Sequence, residues 1–351
     1  MNQVEIEFRS DNCGRAAPEL IDALGRANSG TALGYGGDEL TRSLSDRFSS
    51  LFETSVRVFP IPTGTGANAL ALASATNGFD AVYCSPEAHI HTSECNSAGF
   101  FGQGLKVTTV EGQYGKVVPN ALQNAIEQAG RGLAHKSQPS ALNLVQATDM
   151  GAVYSVPEVQ ALGLIAKQND MVVHMDGARF ANALATLGCT PAELTWRAGV
   201  DILSFGVTKN GGLLTDAIVV FNDNVANQIG FHLRRAGMIW SKMRFASAQI
   251  HAYVENDLWL RLARQSNTSA TLIANALEKI QDVTVVAPVQ ANEIFVETRS
   301  DVLDRLAESN VKFYRRSPTR ARFVCRWDTT DEECNALIQR ITRCLQPHSP
   351  C

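Results

Sequence analysis

Short apolar runs alternate with helix-like segments along the first two thirds of the chain. The pattern predicts strands at residues 56–61, 80–86, 106–111, 141–148, 171–178, 201–208 and 216–222. It predicts helices at 67–76 and 119–129, and a third from the capping box Ser155-x-x-Glu158 to about residue 170. Because strands and helices alternate strictly, we predict an α/β fold whose mostly parallel sheet is covered on both faces.

The pattern changes after about residue 240. We predict one long helix over 243–265, followed by further helices, short extended runs and a strand at 321–327. Thr330-x-x-Glu333 is spaced to cap a final helix. We therefore expect an N-terminal arm (1–16), a large domain (17–240) and a smaller C-terminal α+β domain (241–351) that begins with the long connecting helix.

Composition is that of an ordinary globular enzyme. The 351 residues are 45% hydrophobic and 19% charged, with a net charge of −4, which argues against nucleic acid as the main partner. No apolar run approaches the roughly 20 residues of a membrane helix. The first residues lack a basic-then-apolar signal, so we expect a mature N-terminus. Eight cysteines without C-x-x-C or zinc spacing favour reduced thiols and a cytoplasmic location.

One glycine-rich turn could bind an anion. Thr63-Gly64-Thr65-Gly66 lies between a predicted strand and a predicted helix. A helix N-terminus offers free N–H donors and a favourable dipole to a phosphate, and glycines let the backbone approach it closely. The same letters also suit a tight strand–helix turn, because a lone glycine-rich motif is weak evidence.

Two charged residues follow apolar strands. Asp176 is costly to bury unless it finds a partner, and it could pair with Arg179 or cap the next helix. Lys209 follows DILSFGVT in a polar, glycine-rich turn. It could extend to solvent, bind a phosphate as a point charge, or act as a nucleophilic amine that forms a Schiff base.

His89 stands near His91 and Glu94, which could suggest a metal site. The chain offers no further ligands at zinc spacing, so we expect no metal there. An imidazole that stacks on a planar ligand or transfers a proton is the better hypothesis.

The order of these signals describes one cofactor. An anion cradle, a histidine, a carboxylate at a strand end and a lysine at another strand end meet the requirements of pyridoxal 5′-phosphate. That cofactor needs a phosphate site, a partner for its pyridinium nitrogen and a lysine that bonds to its aldehyde. We therefore predict a pyridoxal-phosphate enzyme.

Seven segments carry a family resemblance over nearly the whole chain. They are FRSDNCG (8–14), YGGDELT (35–41), TGTGAN (63–68), EAHIHTSE (87–94), HMDGARFANA (174–183), SFGVTKNGG (204–212) and ARFVCRWDTTDEE (321–333). In this order they resemble the low-specificity L-threonine aldolases, which have the aspartate-aminotransferase-like fold (fold type I) of pyridoxal-phosphate enzymes. The resemblance implies cleavage of β-hydroxy-α-amino acids (L-threonine, L-allo-threonine or phenylserine) to glycine and an aldehyde.

The resemblance also implies residue roles around the cofactor. Lys209 would bond to the cofactor aldehyde, Asp176 would bind the pyridinium nitrogen, and His89 would stack on the ring. His89 or a bound water would be the base that takes the hydroxyl proton. Gly64 and Thr65 would hold the phosphate.

Further roles implied by the resemblance concern the substrate and the subunit boundary. Arg179 would contact the ring hydroxyl side or the substrate carboxylate, and Ser10 and Arg322 would bind that carboxylate. Tyr35 would help build the site near the subunit boundary, and Arg234 or Arg235 would reach a phosphate of the neighbouring subunit. The family implies a homodimer or a homotetramer (a dimer of dimers) with active sites at the interface.

One position departs from the family pattern. Many members carry a histidine after the strand that here continues QATDMGAVY, where this chain has Asp149. That difference leaves open which group handles the hydroxyl proton. The alternative functions are a β-eliminating lyase for another amino acid, a nicotinamide-dependent oxidoreductase and a non-catalytic protein that kept the fold. The oxidoreductase is weakened because no G-x-G-x-x-G opens the first βα unit.

Overall fold

The computed structural model describes residues 4–346. Residues 1–3 of the predicted arm, and Cys351, lie outside this part. The strands, in chain order, are β1 (Ile6–Glu7), β2 (Arg57–Ile61), β3 (Asp80–Cys84), β4 (Lys106–Thr109), β5 (Gly112–Gln113), β6 (Lys116–Val117), β7 (Gln138–Val145), β8 (Val172–Gly177), β9 (Ile202–Phe205), β10 (Asp216–Val220), β11 (Thr284–Val285), β12 (Glu293–Glu297), β13 (Val311–Lys312), β14 (Tyr314–Arg315) and β15 (Arg320–Val324).

The helices surround these strands, and four short 3-10 segments join them. They are α1 (Pro18–Ala27), α2 (Glu39–Arg42), α3 (Leu44–Phe52), α4 (Gly64–Ala75), α5 (His89–Thr92), α6 (Ser97–Phe101), α7 (Pro119–Gln128), α8 (Val156–Gln168), α9 (Phe180–Leu187), α10 (Pro191–Leu194), α11 (Asp223–Arg235), α12 (Arg244–Val254), α13 (Leu258–Leu277), α14 (Ser300–Glu308) and α15 (Asp331–Cys344). The predicted capping boxes at the starts of α8 and α15 are both present.

A seven-stranded sheet forms the larger part of the molecule. Its strand order is β2-β10-β9-β8-β7-β3-β4, and β10 alone runs antiparallel to its neighbours within it. The predicted mostly parallel sheet is therefore confirmed. Its strands read as apolar runs because helices cover both faces, so the strands are buried on each side.

The register of this sheet brings polar residues together at one end of its strands. Val145 pairs with Asp176, and Asp176 pairs with Ser204, across β7, β8 and β9. Asp216 begins the antiparallel strand β10 and pairs with Ile61, the last residue of β2, so it lies at the same end of the sheet. Ligands of such sheets bind beyond the carboxyl ends of the strands, so this end of the sheet is where a ligand site is expected.

A second, four-stranded sheet belongs to the C-terminal region. Its order is β11-β12-β15-β14, and all its pairs are antiparallel. From the N-terminal arm, β1 pairs in parallel with β13 near this sheet. The arm therefore packs on the C-terminal region, which places the polar residues after β1 between the two sheets.

The prediction of one continuous helix over 243–265 is wrong. The chain breaks after α12 in a 3-10 segment, Glu255–Asp257, and α13 then runs on through Leu277. Asn256 and Asp257 have φ angles of 50° and 53°, in the left-handed region. Asparagine and aspartate tolerate this conformation better than most residues, so the Asn-Asp pair was the overlooked signal. The bend lets Trp259 of α13 pack against Phe205 of β9, with ring centroids 5.5 Å apart.

Cysteine chemistry is mixed. Cys13, Cys84, Cys95, Cys189, Cys325 and Cys334 are free thiols, as predicted. Cys344 is disulfide-bonded, so the expectation of reduced thiols is wrong for that residue. Across residues 4–346, the structure contains no helix with the length and apolar character needed to cross a membrane.

Candidate active site

A cavity of about 390 Å³ opens at the end of the seven-stranded sheet where these polar residues lie. That volume is in the range of small-ligand sites. Most residues predicted for the site line it, namely Ser10, Gly64, Thr65, His89, Asp176, Arg179, Lys209 and Arg322. The fold thus gathers residues that are up to 312 positions apart in the chain.

The N-terminus of α4 forms one wall. Thr63 caps the helix because its hydroxyl accepts a hydrogen bond from the Gly66 N–H at 3.1 Å. Gly64 faces open space, since a Cβ built there would meet only Asp216 Oδ2, at 3.9 Å, within 4 Å. A 12-residue helix thus points its first turn into the cavity beside an unfilled space. That arrangement suits an anion such as a phosphate.

Asp176 lies at the end of β8 and is buried. Its Oδ1 accepts from the Ala178 N–H at 3.0 Å, and its Oδ2 accepts from Asn68 Nδ2 at 2.8 Å. The alternative that Asp176 caps the next helix is wrong, because α9 begins at Phe180 with Arg179 at its N-cap and has no side-chain cap hydrogen bond. Arg179, the other suggested partner, pairs with different carboxylates.

His89 begins α5 and reaches the cavity from the side of β3. Its Nδ1 is 2.9 Å from Oε1 of the buried Glu94, and Asn68 Nδ2 donates to the same Glu94 oxygen at 2.9 Å. The hydrogen bond from Glu94 raises the pKa of His89. Among the described residues, no group of three or more His, Cys, Asp or Glu is arranged to hold a metal ion.

Lys209 lies in a 3-10 turn, Thr208–Asn210, after β9. Strand β9 ends at Phe205, earlier than predicted, because the N–H groups of Val207 and Thr208 donate to Asp216 Oδ1 at 2.8 and 3.0 Å. On the other side, Asn210 Nδ2 donates to the Tyr253 hydroxyl, at 2.8 Å. The turn is anchored on both sides of the lysine.

The turn before Lys209 requires a glycine. A Cβ added at Gly206 would lie 2.4 Å from the Ala178 carbonyl oxygen, so no other residue fits there without a backbone shift. Burial raises the pKa of Asp216, which anchors the turn, despite its two backbone donors. The carboxylate is costly to bury and therefore has a positional role beside the lysine.

Two arginines line the part of the cavity next to the N-terminal arm. Arg179 pairs with Asp11 Oδ2 at 2.6 Å and Glu293 Oε2 at 2.9 Å. Arg322 contacts the other Glu293 oxygen at 3.2 Å and donates to the Arg9 carbonyl at 3.2 Å. Its Nε is buried and has no hydrogen-bond partner in the described part of the chain. Ser10 lines the same end, and its hydroxyl oxygen accepts from the Asn12 N–H.

Tyr35, Arg234 and Arg235 do not line the cavity of this single chain, as far as residues 4–346 show. Tyr35 is 60% exposed, and the Arg234 guanidinium lies 5.0 Å from its ring centroid. Arg235 is also exposed, in the last turn of α11. Their predicted roles depend on a neighbouring subunit and stay predictions.

Several residues at the site escaped the sequence analysis. Asp11, Asn68 and Glu94 lay inside quoted motifs but received no role there. Asp216 and Glu293 lay in none of the quoted motifs. The available signal was the same for Asp216 and Glu293, a carboxylate that directly precedes an apolar strand (DAIVV and EIFVE). A buried carboxylate at that position implies a cationic or N–H partner.

The donor set fits pyridoxal 5′-phosphate. The α4 N-terminus with the space at Gly64 suits its phosphate, buried Asp176 suits its protonated ring nitrogen, and Lys209 suits its aldehyde. The unpartnered Nε of Arg322 leaves a cationic donor free for a substrate carboxylate. One cavity therefore offers a matching group for each end of the cofactor and for an amino acid.

Comparisons with known proteins agree with this chemistry. The family described as beta-eliminating lyase matches residues 7–301. The low specificity L-threonine aldolase of a Pseudomonas strain is 39% identical over 342 residues, covering 97% of this chain and 98% of that protein.

Two solved structures show the fold. The threonine aldolase of Leishmania major superposes with a TM-score of 0.90 at 22% identity, over 97% of this chain and all of that one. Aspartate aminotransferase from Thermus thermophilus superposes with a TM-score of 0.72 at 14% identity, over 97% of this chain and 92% of that one. The predicted type I fold of pyridoxal-phosphate enzymes is confirmed.

Proposed function

The chain belongs to the low-specificity L-threonine aldolase family, and from that premise we propose that it cleaves β-hydroxy-α-amino acids such as L-threonine and L-allo-threonine to glycine and an aldehyde. Phenylserine is a further candidate substrate. The cofactor is pyridoxal 5′-phosphate. The observation that carries the proposal is the meeting of Lys209, Asp176 and the α4 N-terminus at one cavity.

When bound, the cofactor supplies an electron-accepting ring that takes up the electron pair of the bond broken at the substrate Cα. The protein would hold it through four contacts. Gly64 and Thr65 would bind its phosphate, and Asp176 would keep its ring nitrogen protonated. Lys209 would bond to its aldehyde. His89 would lie against its ring.

The substrate carboxylate decides which bond breaks. Arg322 and Ser10 would bind it, and Arg179 would support Arg322 through their shared partner Glu293. Fixing the carboxylate orients the substrate about its Cα, so that the Cα–Cβ bond rather than the Cα–H bond aligns with the accepting ring. Positioning of this kind contributes much of an enzyme's rate.

The visible spectrum of the purified holoenzyme tests the proposal. We expect an absorption band of the lysine-bound cofactor that changes when glycine is added, and formation of glycine and acetaldehyde from L-threonine. Lys209→Ala should lose that band and nearly all turnover, whereas the exposed Lys242→Ala should keep both. A Lys209→Ala protein with the parent band and full turnover would refute the role of the lysine.

A second candidate is β-elimination on another amino acid, which the description of the matched family favours. The two reactions differ in their products. Elimination releases a keto acid and ammonia, whereas the aldol cleavage releases glycine and an aldehyde. Chromatography of the products from L-threonine, L-allo-threonine and L-serine separates the two candidates.

We also propose a homodimeric or homotetrameric assembly in the cytoplasm, with sites at the subunit boundary. Exposed apolar side chains support the assembly. Leu33, Leu214 and Phe231 are each more than 70% exposed, and Leu214 also lines the cavity. Large apolar side chains at the mouth of a site favour a covering surface.

A further inference from the structure

Asp149 is a cavity residue to which no role has yet been given. It follows β7 in the turn Thr148–Ala152 and lines the cavity. Its Oδ2 is inaccessible to solvent and has no hydrogen-bond partner among the described residues. A buried, unpaired carboxylate oxygen costs free energy, so its retention beside a ligand cavity needs an explanation.

The turn holds Asp149 firmly. The Thr148 hydroxyl donates to the Tyr114 carbonyl at 2.7 Å and accepts from the N–H groups of Met150 and Ala152. Gly151, with a φ of 76°, packs against β12, where an added Cβ would lie 3.0 Å from the Glu293 carbonyl oxygen. The backbone on both sides of Asp149 is therefore held, by the β5–β6 turn on one side and by β12 on the other.

The charges that face Asp149 come from several elements. Burial and the carboxylates of Asp176 and Glu293 raise its pKa to about 6, while Lys209 and His89 act in the opposite direction. Arg179 also interacts with it electrostatically. A carboxylate with this pKa is mostly ionised at neutral pH, yet it binds a proton more readily than an exposed aspartate does.

We propose that Asp149 is the catalytic base that takes the proton from the side-chain hydroxyl of the substrate during Cα–Cβ cleavage. This inference rests on the proposed function and names the group that the function leaves open. The protein thus uses a carboxylate on this anchored turn for the step, and not His89.

The step balances without a further reactant. The hydroxyl proton moves to the carboxylate of Asp149, and the electron pair of the O–H bond becomes the second bond of the aldehyde carbonyl. The Cα–Cβ bond breaks, and its electron pair stays on the glycine side until Cα accepts a proton. Water supplies the proton that Cα accepts, and Asp149 gives its own proton to water, so the cycle closes without a net gain or loss of protons.

His89 is less suited to accept this proton. Its Nδ1 already pairs with Glu94, and this contact raises the pKa of the imidazole, so a larger fraction is already protonated near neutral pH. Asp149 has a free oxygen and no competing donor. The geometry therefore separates a ring-contacting histidine from a proton-accepting aspartate.

Asp149→Asn is the decisive variant because it keeps shape but cannot accept the proton. We expect kcat for L-threonine cleavage to fall about 10²- to 10⁴-fold, the usual contribution of a general base. Exchange of the glycine α-hydrogen with solvent involves no hydroxyl, so it should stay within about threefold of the parent. Glycine affinity, from the visible spectrum, should also be unchanged.

A pH profile and an apoprotein measurement complete the test. The parent kcat/KM should fall below a pH of about 6, where Asp149 is protonated, and the residual activity of Asp149→Asn should lack this limb. A carboxyl titration near pH 6 in carbon-13 NMR of the apoprotein should be absent from the variant. Asp22→Asn, an exposed site on α1, is the matched control and should behave as the parent does.

The outcomes are distinguishable. A variant that keeps the parent kcat, or that loses glycine α-hydrogen exchange as much as cleavage, overturns the role of Asp149 as hydroxyl base. An apoprotein without the carboxyl titration near pH 6 contradicts it as well. A parent protein that neither responds to glycine nor cleaves L-threonine overturns the proposed function and this inference together.

Discussion

Two arginines share one buried carboxylate in the part of the cavity next to the N-terminal arm. Glu293 faces Arg179 with one oxygen and Arg322 with the other. Asp11, held by Asn292 and Arg179, brings a second negative charge to the group. Two cations and two carboxylates nearly balance, yet Arg322 keeps its Nε unpaired. The cluster therefore holds the arginines without using all their donors, which leaves one for a substrate.

We predict that Arg322→Ala raises KM for L-threonine about 10- to 100-fold, because charge-assisted hydrogen bonds contribute roughly 1.5–3 kcal/mol. The cofactor should stay bound, since its proposed contacts are made by other residues, namely Gly64, Thr65, Asp176, His89 and Lys209. Steady-state kinetics and the visible spectrum check both parts.

Arg320→Ala is the control for that prediction. Arg320 lies two residues away on β15 but is exposed and pairs with Glu297. It should leave KM near the parent value. Loss of cofactor from Arg322→Ala, with KM of the reconstituted protein unchanged, would contradict a carboxylate role.

The sequence pattern identified site residues where a charged residue interrupted an apolar run. Lys209 and Asp176 could be recognised because each follows a strand that is otherwise buried. Pairing could not be predicted in the same way. Arg179 was suggested as a partner of Asp176, but it pairs with Asp11 and Glu293, which lie 168 and 114 positions away in the chain. Such contacts depend on the packing of two sheets, which local sequence does not specify.

At the scale of elements, periodicity predicted most strands of the large sheet to within a few residues. The errors lie where a local interaction overrides the pattern. Strand β9 ends early because Asp216 takes the next N–H groups, and the helix after residue 243 breaks at Asn256 and Asp257. Both causes involve polar side chains or backbone conformations to which hydrophobic periodicity is insensitive.

The first turn of α4 is the proposed binding site of the cofactor phosphate. We expect Gly64→Ala to lower affinity for pyridoxal 5′-phosphate about 5- to 100-fold, because the methyl group occupies the space left for the phosphate and overpacking costs roughly 1–3 kcal/mol. The apoprotein should be as stable as the parent, since the new Cβ meets only Asp216 Oδ2, at 3.9 Å. Cofactor titration and urea unfolding of the apoprotein measure the two effects separately.

Gly25→Ala is the matched control within another helix. Gly25 lies in α1, and a Cβ there has nothing within 4 Å. It should raise stability by about 0.5–1 kcal/mol without any change in cofactor affinity. A Gly64→Ala protein that binds the cofactor as tightly as the parent would exclude this turn as the phosphate site.

At the scale of the whole molecule, one cavity is lined by residues of the seven-stranded sheet, the C-terminal sheet and the N-terminal arm. The N-terminal arm joins the C-terminal region through β1 and β13, and it delivers Ser10 and Asp11 to the site. Ser10 was expected at the site and lines the cavity, although the pattern alone could not predict that β1 pairs with β13. Parallel pairing over some 300 residues leaves no local signal.

In the proposed assembly, each active site contains residues from two subunits. If Arg235 binds the phosphate of the neighbouring subunit, Lys209→Ala and Arg235→Ala should each be poorly active alone. Mixed after dissociation and reassembly, they should recover activity, because each mixed dimer contains one site with both native residues. Random pairing of equal amounts in a two-fold dimer gives about a quarter of the parent sites.

The alternative arrangement gives a different result in the same experiment. If Arg235 served only the site of its own chain, every site in a mixed dimer would lack one of the two residues, and mixing would restore nothing. Arg234→Ala, whose guanidinium lies over Tyr35, is the neighbouring control. Should the Arg234 variant complement Lys209→Ala while the Arg235 variant alone is fully active, the phosphate contact belongs to Arg234, and the exposed Arg235 has another role.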